Sequence, residues 1–333
     1  MPNFTKKLIN LRVMKKAIKI SAIAVLVLAV VSFAAGWYMV NFALQPEDHG
    51  QDLERYSQKW NERVPGIIDW YDSLHVAGIF KDTVILGSRD RKLHAVYAAA
   101  PAPAAGTAVL VHGYTDNHLC MMHIARIYRD SLGFNVLLPD NSHHGLSEGD
   151  AVQMGWFDRL DVKQWLGIAN GIFGDDFTIV HGVSMGGATT MMLSGEPDLP
   201  AYVKGFVDDC GYTTVWNQFK KELGEDYSLP AFPVLYAADL VCRMRFGWSF
   251  QEASSLDQLA KCERPMLFIH GDSDKYVPTA DVYLNFDAKQ KGYKEMWIVP
   301  DTAHARSCEN HPAEYAARLH AFVEKIKSGE TGE

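Results

Sequence analysis

The chain has 333 residues, which is enough for one large domain with a sizeable core. Its hydrophobic content of 48% and charged content of 22% are ordinary for a globular protein. The net charge is −8, and residues 1–46 hold six cations and no acid, so the rest of the chain is more acidic still. An acidic body argues against a nucleic-acid partner, because phosphate binding needs clustered cations.

The N-terminus has a basic part followed by an apolar part. All six cations lie within residues 1–19, and residues 20–44 carry no charge. At a rise of about 1.5 Å per residue, a helix over 20–44 can cross a hydrocarbon core of roughly 30 Å. We therefore predict a cytoplasmic basic segment over 1–19 and a transmembrane anchor over 20–44. Because cations favour the cytoplasm, the rest of the chain is expected on the non-cytoplasmic side.

Two other interpretations of this segment remain open. A cleaved signal peptide would use the small residues of Ser32-Phe-Ala34 and would leave a secreted or periplasmic protein. The apolar run continues past that site and exceeds the roughly 7–15 residues of a signal peptide's hydrophobic region, which favours an uncleaved anchor. A buried core helix is the third interpretation, and the one-sided flanking charge speaks against it.

The cysteine pattern predicts no disulfide framework. No two cysteines are spaced as C-x-x-C, and they are sparse in the chain. Outside the cytoplasm one disulfide pair remains open, but we expect buried free thiols. The five are Cys120, Cys210, Cys242, Cys262 and Cys308.

Beyond the anchor, a polar and aromatic segment over 45–79 is expected to be a stalk or a wrap, with a helix over Asp52 to Arg63. From residue 80 onward, runs typical of strands alternate with runs at helical spacing. Strands are predicted over 82–88, 93–98, 107–113, 134–139, 178–180, 201–207, 265–271 and 294–300, and helices over 118–132, 156–172, 187–193 and 312–327.

One serine lies at the apex of a predicted strand, sharp turn and helix. The strand Thr178–Val180 leads into Gly182-Val-Ser184-Met-Gly186, and a helix starts at Gly187. The glycines leave room for a strained turn that a Cβ would block. A serine hydroxyl is a weak nucleophile and must be held beside a base. By itself this pattern also fits an ordinary strand-to-helix turn.

Further signals lie before and after this turn in the chain. His112-Gly113-Tyr114 ends a buried strand, and Asp140 opens a loop through Gly145, Ser147 and Gly149. His270-Gly-Asp-Ser-Asp274 follows the strand over 265–271, and His304 follows the last strand. Together these motifs resemble the α/β-hydrolase superfamily of serine hydrolases. The resemblance covers about residues 80–325, although His143-His144 stands where the family commonly has an Arg-Gly or Gly-His pair.

The resemblance implies an α/β-hydrolase fold with a mostly parallel eight-stranded sheet flanked by helices and a small helical cap after strand six. We expect this domain over 80–328, its cap over about 211–259 and a tail over 329–333. It also implies a catalytic triad in the order Ser184, Asp274, His304. The backbone N–H groups of Tyr114 and Met185 would form the oxyanion hole.

Other polar residues compete for some of these roles. Asp272 and Asp209 are rivals for the triad carboxylate, and the family motif favours Asp274. His112 is expected to hold its loop. His143 and His144 near Asp140 suggest a metal site only weakly, because adjacent side chains point apart. His311 and His320 are taken as structural, and neither a metal nor an organic cofactor is expected.

The leading functional interpretation is a carboxylic-ester hydrolase that resembles bacterial membrane-anchored and cell-surface esterases. Its partners would be a small-molecule acyl substrate and, through the N-terminal helix, a membrane. The alternative is a serine peptidase of the aminopeptidase or prolyl oligopeptidase-like kind. Its substrate ammonium would need acids such as Glu222, Glu225 and Asp226 of the cap. A third hypothesis is a membrane-tethered binding module without catalysis, which would have no need of a complete triad.

Overall fold

A computed structural model describes residues 2–101 and 103–331, with side chains from Leu11 onward. Residue 1 and the side chains of Lys6 and Lys7 in the predicted basic segment therefore lie outside the described residues. The same is true of Ala102 in the predicted loop over 101–106 and of residues 332 and 333 in the predicted tail.

The centre of the fold is an eight-stranded sheet with the order β1-β2-β4-β3-β5-β6-β7-β8. The pairs β1–β2 and β2–β4 are antiparallel, and all other pairs are parallel. This is the predicted α/β-hydrolase architecture. The strands are Phe80–Leu86 (β1), Lys92–Ala98 (β2), Thr107–Val111 (β3), Asn135–Pro139 (β4), Thr178–Val183 (β5), Val203–Asp209 (β6), Met266–Gly271 (β7) and Lys294–Val299 (β8).

The helices follow the predicted alternation, with differences described below. They are Pro2–Leu44 (α1), Leu53–Arg63 (α2), Ile67–Val76 (α3), Met122–Arg126 (α4), Asp158–Phe173 (α5), Met185–Ser194 (α6), Val215–Tyr227 (α7), Val234–Phe246 (α8), Ser255–Leu259 (α9), Ala280–Ala288 (α10), Ser307–Asn310 (α11) and Pro312–Ser328 (α12).

Strands β3, β4 and β7 are buried along their whole length because helices cover both faces of the sheet. One buried cluster includes Tyr56 of α2, Tyr71 of α3 and Phe322 of α12. The other includes Trp165 of α5 and Met191 of α6. These two apolar layers fix the sheet and therefore the positions of the loops at its carboxyl edge.

The segment over 45–79 packs on this core. The side chain of Asp52 caps α2 by accepting from Arg55 N (3.1 Å). Tyr56 and Trp60, one helical turn apart, are both buried in the first apolar cluster. The segment also contains α3, which the sequence did not predict.

The predicted single helix over 118–132 is wrong in detail. The structure has a 3₁₀ turn over His118–Met121, the short helix α4, and a π turn over Ile127–Ser131. Asn117 caps the first turn by accepting from Leu119 N (2.9 Å), and Leu132 N donates to Ile127 O across five residues (3.1 Å). Apolar spacing alone does not distinguish these tighter and wider turns from a regular helix.

The chain divides into two compact units. One comprises Leu44–Gln218 and Phe250–Glu333, which contain all eight strands. The other comprises Met1–Ala43 and Phe219–Ser249, which hold most of α1, most of α7 and all of α8. Among the described residues, one helix is long and apolar enough to cross a membrane, over Leu11–Leu44. Such a helix can be an anchor or a signal sequence.

Two glycines give a test of how tightly α6 is packed on the sheet. A Cβ on Gly186 would lie 2.0 Å from Val111 O of β3, whereas a Cβ on Gly167 in α5 would meet nothing within 4 Å. Because backbone cannot yield, Gly186→Ala should lower the free energy of unfolding by more than about 3 kcal/mol or prevent folding. Gly167→Ala should raise it by up to about 1 kcal/mol, since alanine is the better helix former.

Urea unfolding of the full chain in detergent, followed by circular dichroism, measures both values. Similar effects of the two substitutions would contradict the close packing of α6 on β3.

Candidate active site

Ser184 lies between the end of β5 and the start of α6, in a strained backbone conformation. Its φ is 58° and its ψ is −116°, a region that costs a residue with a Cβ roughly 1–3 kcal/mol. The bend brings Gly182 so close to the helix start that an added Cβ would lie 1.9 Å from Gly186 O. The sharp turn predicted from the glycine spacing is therefore present.

Two other loops bring a histidine and an aspartate to this serine. The hydroxyl oxygen of Ser184 is 2.8 Å from Nε2 of His304, which lies in the loop after β8. Nδ1 of His304 is 2.6 Å from Oδ2 of Asp274, which lies in the loop after β7. The three side chains are thus linked in a row, although 120 and 30 positions of sequence separate the two pairs.

Asp274 is buried and accepts several hydrogen bonds. Its Oδ1 accepts from the backbone N–H groups of Tyr276 (2.9 Å) and Val277 (3.0 Å). Burial by itself would raise the pKa of Asp274, but hydrogen bonds from His270 and His304 outweigh burial and lower the pKa to about 2. The carboxylate is therefore ionised at neutral pH and fixed in position.

The sequence motif over 270–274 includes His270 but predicts no role for it. In the structure it is fully buried, and its Nε2 lies 3.2 Å from Oδ2 of Asp274 and 3.0 Å from Val277 O. Its position four residues before Asp274 in the same motif was the available signal. It therefore supplies a second side-chain contact that holds Asp274.

The two rival carboxylates have other partners. Asp272 accepts from the hydroxyl of Ser273 (2.9 Å) at the surface. Asp209 is buried, and its carboxylate accepts from Ser307 (3.2 Å) and from the Tyr315 hydroxyl (2.8 Å). Asp209 meets the serine through its backbone only, because its carbonyl accepts from Ser184 N (2.7 Å).

The two predicted oxyanion donors come from the turns on either side of Ser184. Met185 is the first residue of α6, where an N–H has no acceptor within its own helix. Gly113, the residue before Tyr114, is so close that a Cβ on it would lie 3.4 Å from Cβ of Ser184. The turn that carries the Tyr114 backbone is therefore beside the serine, and its role stays a prediction.

The ring nitrogens of His112 contact the backbone of this turn and of the neighbouring loop. Its Nδ1 is 2.8 Å from Gly113 O, and its Nε2 accepts from Asn141 N (2.9 Å). Burial lowers its pKa, which keeps the ring neutral and both contacts in place. This is the loop-holding arrangement expected from the sequence.

The residues nearest Asp140 differ from those considered as a metal site. Asp140 lies 2.9 Å from Nδ1 of His94 and 3.0 Å from Nδ1 of His118, whereas His144 contacts the backbone of Ser142 and Thr115. His94, His118 and Asp140 could together offer three ligand atoms to a metal, and so could Cys210 with Asp274 and His304. In the first group both histidines already hydrogen-bond to Asp140.

The segment after α1 contacts both loops that flank the serine, which no sequence pattern indicated. The hydroxyl of Tyr56 donates to Thr115 O, in the turn of the predicted oxyanion donor Tyr114. Arg63 donates to Ala305 O (2.7 Å), directly after His304, and also pairs with Glu309. Arg63 and Glu309 line a separate cavity of about 560 Å³ whose lining does not include Ser184, Asp274 or His304.

All five cysteines are buried as thiols outside any disulfide, as expected. Cys210 lies next to the triad, and burial raises the pKa of its thiol well above the usual range. It is therefore a neutral thiol at physiological pH, not a competing nucleophile.

A model of the alpha/beta hydrolase family matches residues 108–318, which is more than half of the chain. The chain belongs to this family. The uncharacterized protein YqkD of Bacillus subtilis is 28% identical over 236 residues, covering 69% of this chain and 75% of YqkD. The putative esterase YitV of the same organism is 25% identical over 222 residues, covering 61% of this chain and 82% of YitV.

Solved structures of hydrolases have the same fold. The esterase Pf2001 of Pyrococcus furiosus has a TM-score of 0.59 at 21% identity and covers 74% of this chain and 92% of Pf2001. A membrane phospholipase A described as a bacterial virulence factor has a TM-score of 0.55 at 14% identity, covering 83% and 96%. The protein is therefore a hydrolase with esterase-like relatives.

Asp209 makes stability depend on pH. Burial raises its pKa from 3.8 to about 6, partly offset by the hydrogen bonds from Tyr315 and Ser307. Because the folded protein binds the Asp209 proton more tightly than the unfolded chain does, the protonated carboxyl contributes to stability. This contribution is complete below pH 3.8 and is lost as the pH rises through 6. The free energy of unfolding of Asp209→Asn minus that of the wild type should therefore be roughly 2–3 kcal/mol larger at pH 7 than at pH 4.

Asp272→Asn is the control. The pKa of Asp272 is lowered by its hydrogen bond from Ser273, so its contribution changes only in more acidic solution. Denaturant unfolding at several pH values measures the differences, and a pH-independent difference for Asp209→Asn would contradict the predicted burial effect.

Proposed function

We propose that this protein is a serine hydrolase that cleaves carboxylic esters through Ser184, His304 and Asp274 and an acyl-enzyme intermediate. The observation that carries the proposal is the row of contacts from the Ser184 hydroxyl to His304 (2.8 Å) and from His304 to Asp274 (2.6 Å), built on a strained turn. This arrangement performs acyl transfer on several unrelated folds.

The ionised Asp274 fixes the protonation of His304. A carboxylate can only accept, so Nδ1 of His304 carries the proton and Nε2 faces the Ser184 hydroxyl with its lone pair. His304 then takes the hydroxyl proton as the oxygen of Ser184 attacks the ester carbonyl carbon. The alcohol leaves with that proton, and water repeats the sequence to release the acid and restore Ser184.

Charge that develops on the carbonyl oxygen needs donors that are already in place. We assign this role to the backbone N–H groups of Tyr114 and Met185, on the turn beside Ser184 and on the first residue of α6. The loss of one such donor typically raises the barrier by about 2.7–4 kcal/mol. Backbone donors suit the task because the two turns are fixed by packing and do not reorganise during the reaction.

Esters are the favoured substrate class. Two of the similar proteins are described as esterases, YitV and Pf2001. The peptidase alternative would need free acids for a substrate ammonium, yet Lys221 already pairs with Glu225 (2.7 Å) and Glu222 (3.3 Å). These carboxylates are therefore partly neutralised where a peptidase would use them.

We further propose that α1 is an uncleaved membrane anchor. Its apolar part continues without interruption to Leu44, ten residues beyond Ala34 of the candidate cleavage site. On this basis residues 1–19 form a cytoplasmic basic segment, 20–44 the anchor and 45–79 a wrap, followed by the hydrolase domain over 80–328 with its cap over about 211–259. The hydrolase domain then lies on the non-cytoplasmic side of the membrane.

The triad assignment predicts the effect of single substitutions on turnover of p-nitrophenyl acetate by the full chain in detergent. Ser184→Ala should lower kcat by at least about 10⁴-fold, since it removes the nucleophile. Asp274→Asn should lower kcat by roughly 10⁴-fold, because His304 would adopt the wrong tautomer.

Matched substitutions nearby serve as controls. Ser273→Ala removes a surface hydroxyl that contacts only Asp272 among the side chains described, and Asp209→Asn removes the buried rival carboxylate. Both variants should stay within about tenfold of the wild type. Undiminished activity of Ser184→Ala, or a larger loss for Asp209→Asn than for Asp274→Asn, would refute the assignment.

Ester and peptide substrates separate the two hydrolase interpretations. At an enzyme concentration that turns over short-chain and aromatic p-nitrophenyl esters within minutes, aminoacyl p-nitroanilides should give no measurable product. Glu225→Gln should leave ester turnover unchanged. Steady turnover of an aminoacyl anilide that Glu225→Gln abolishes would instead establish a peptidase.

A further inference from the structure

Cap helix α8 packs against the last third of α1. A Cβ on Gly36 would lie 2.6 Å from the backbone N of Ala238, so the two backbones are in close contact there. Further along both helices, Arg245 hydrogen-bonds to the side-chain oxygen of Asn41, and its guanidinium lies 4.5 Å from the ring centroid of Trp37. Small residues at the point of closest approach are typical of helix pairs inside membranes.

These contacts also give the relative direction of the two helices. Gly36 precedes Asn41 on α1, and its partner Ala238 precedes Arg245 on α8. The helices therefore lie side by side and point the same way. The start of α8 is level with the interior of the apolar run of α1, and the end of α8 is level with the end of that run near Leu44.

Helix α8 and the turn before it expose a row of large apolar side chains, which we call the apolar stripe. The stripe consists of Phe232, Tyr236, Leu240 and Met244, whose exposed fractions are 68%, 52%, 50% and 66%. A spacing of four residues places the last three on one face of the helix. Contiguous exposed apolar surface of this kind marks a contact surface and is uncommon where a protein faces water.

Charge is distributed unevenly along the same segment. Residues 228–238 contain no charged side chain. The charges of α8 all follow, and they are Asp239, its ion-pair partner Arg243 (3.1 Å) and Arg245. The charged groups of α8 therefore lie level with the end of the apolar run of α1, whereas the first half of the stripe lies level with the interior of that run. Long cationic side chains at such a position reach the headgroup layer.

The exposed aromatic residues of α1 lie at the same level as α8. Trp37 and Tyr38 are both exposed and adjoin the contact point at Gly36. Tryptophan and tyrosine concentrate at the boundary between the hydrocarbon core and the headgroups. A bilayer that α1 crosses would therefore have this boundary beside α8.

We propose that the apolar stripe of α8 lies in the lipid of the bilayer that α1 crosses, with Phe232 deepest and Met244 nearest the water. The inference rests on the retention of α1 as an anchor. Lipid acyl chains fit the stripe better than a second copy of the chain does, for two reasons. The stripe is parallel to the membrane-spanning helix, and the charged residues of α8 lie only at the end that is level with the end of the apolar run of α1. The cap would then be a second membrane contact, in addition to the anchor.

The test measures the depth of single labels in the full chain, reconstituted in phosphatidylcholine vesicles. All five native cysteines are buried, so a thiol-reactive environment-sensitive fluorophore will label Leu240→Cys selectively. Lipids that carry a nitroxide on the acyl chain should remove most of its emission. The control is Leu284→Cys on α10, which has the same residue type and a similar exposure of 51%, and which should not be quenched.

Two more labelled positions test the direction of insertion and keep the experiment informative if Leu240→Cys fails to fold. A label at Phe232→Cys should be quenched best by a nitroxide deep in the acyl chain, and a label at Met244→Cys best by one near the headgroup. Equal quenching at 240 and 284, or the reverse order of depth, would overturn the inference. A label at 240 that is shielded from water but unquenched by lipid, with disulfide cross-links between copies, would assign the stripe to a protein contact instead.

The proposal of an uncleaved anchor and the proposal of a lipid contact for the stripe can be refuted separately. The intact mass of the vesicle-bound protein shows whether the residues before Ala34 are present, and their loss would refute the anchor before any label is read. An intact chain with an unquenched label at 240 would refute the stripe alone. Neither result depends on turnover, so the triad is tested independently.

Discussion

Ser184 adopts a φ of 58° only because two neighbouring positions carry no side chain. The turn presses Gly182 against the start of α6, and it presses Gly186 against the carbonyl of Val111 on the adjacent strand. The buried strands around this turn hold it in its strained conformation, because they cannot move apart without exposing apolar side chains to water. The contact with His304 is defined relative to this turn, since the ring nitrogen has to meet a hydroxyl held in one place.

The second requirement is electrostatic. A buried carboxylate without partners would hold a proton at neutral pH, and Asp209 shows this tendency, with a pKa raised to about 6. Asp274, although buried as well, has a pKa lowered to about 2 because two histidines and two backbone N–H groups contact it. The environments of the two aspartates therefore shift their pKa values in opposite directions. Only Asp274 is held as a carboxylate that can accept a hydrogen bond from a histidine.

The sequence predicted those parts of the molecule that depend on short-range patterns. The elbow was predictable because its glycines and serine lie within five residues, and the eight strands because each is a short apolar run. Tyr56 and Arg63 were missed because their contacts join distant parts of the chain, and His270 was missed because a motif does not show what a buried histidine contacts. The π turn over Ile127–Ser131 was missed because it leaves the apolar spacing nearly unchanged. Helix α10 was not predicted either, and Tyr283 and Leu284 on its outer face are exposed, so its apolar residues do not mark one buried side.

The contacts of Tyr56 with Thr115 and of Arg63 with Ala305 have a practical consequence for anyone shortening the chain. The family match begins only at residue 108, and the first strand begins at Phe80, so either boundary would look like a natural place to start a water-soluble version. A chain begun at Phe80 would keep all eight strands yet lack the contacts of Tyr56 and Arg63 that hold the turns on both sides of the serine, and a chain begun at residue 108 would also lack the first two strands. Removal of the hydrophobic helix alone, with the residues from about Asp48 onward retained, keeps both contacts and the Asp48–Arg55 ion pair that steadies the first of them.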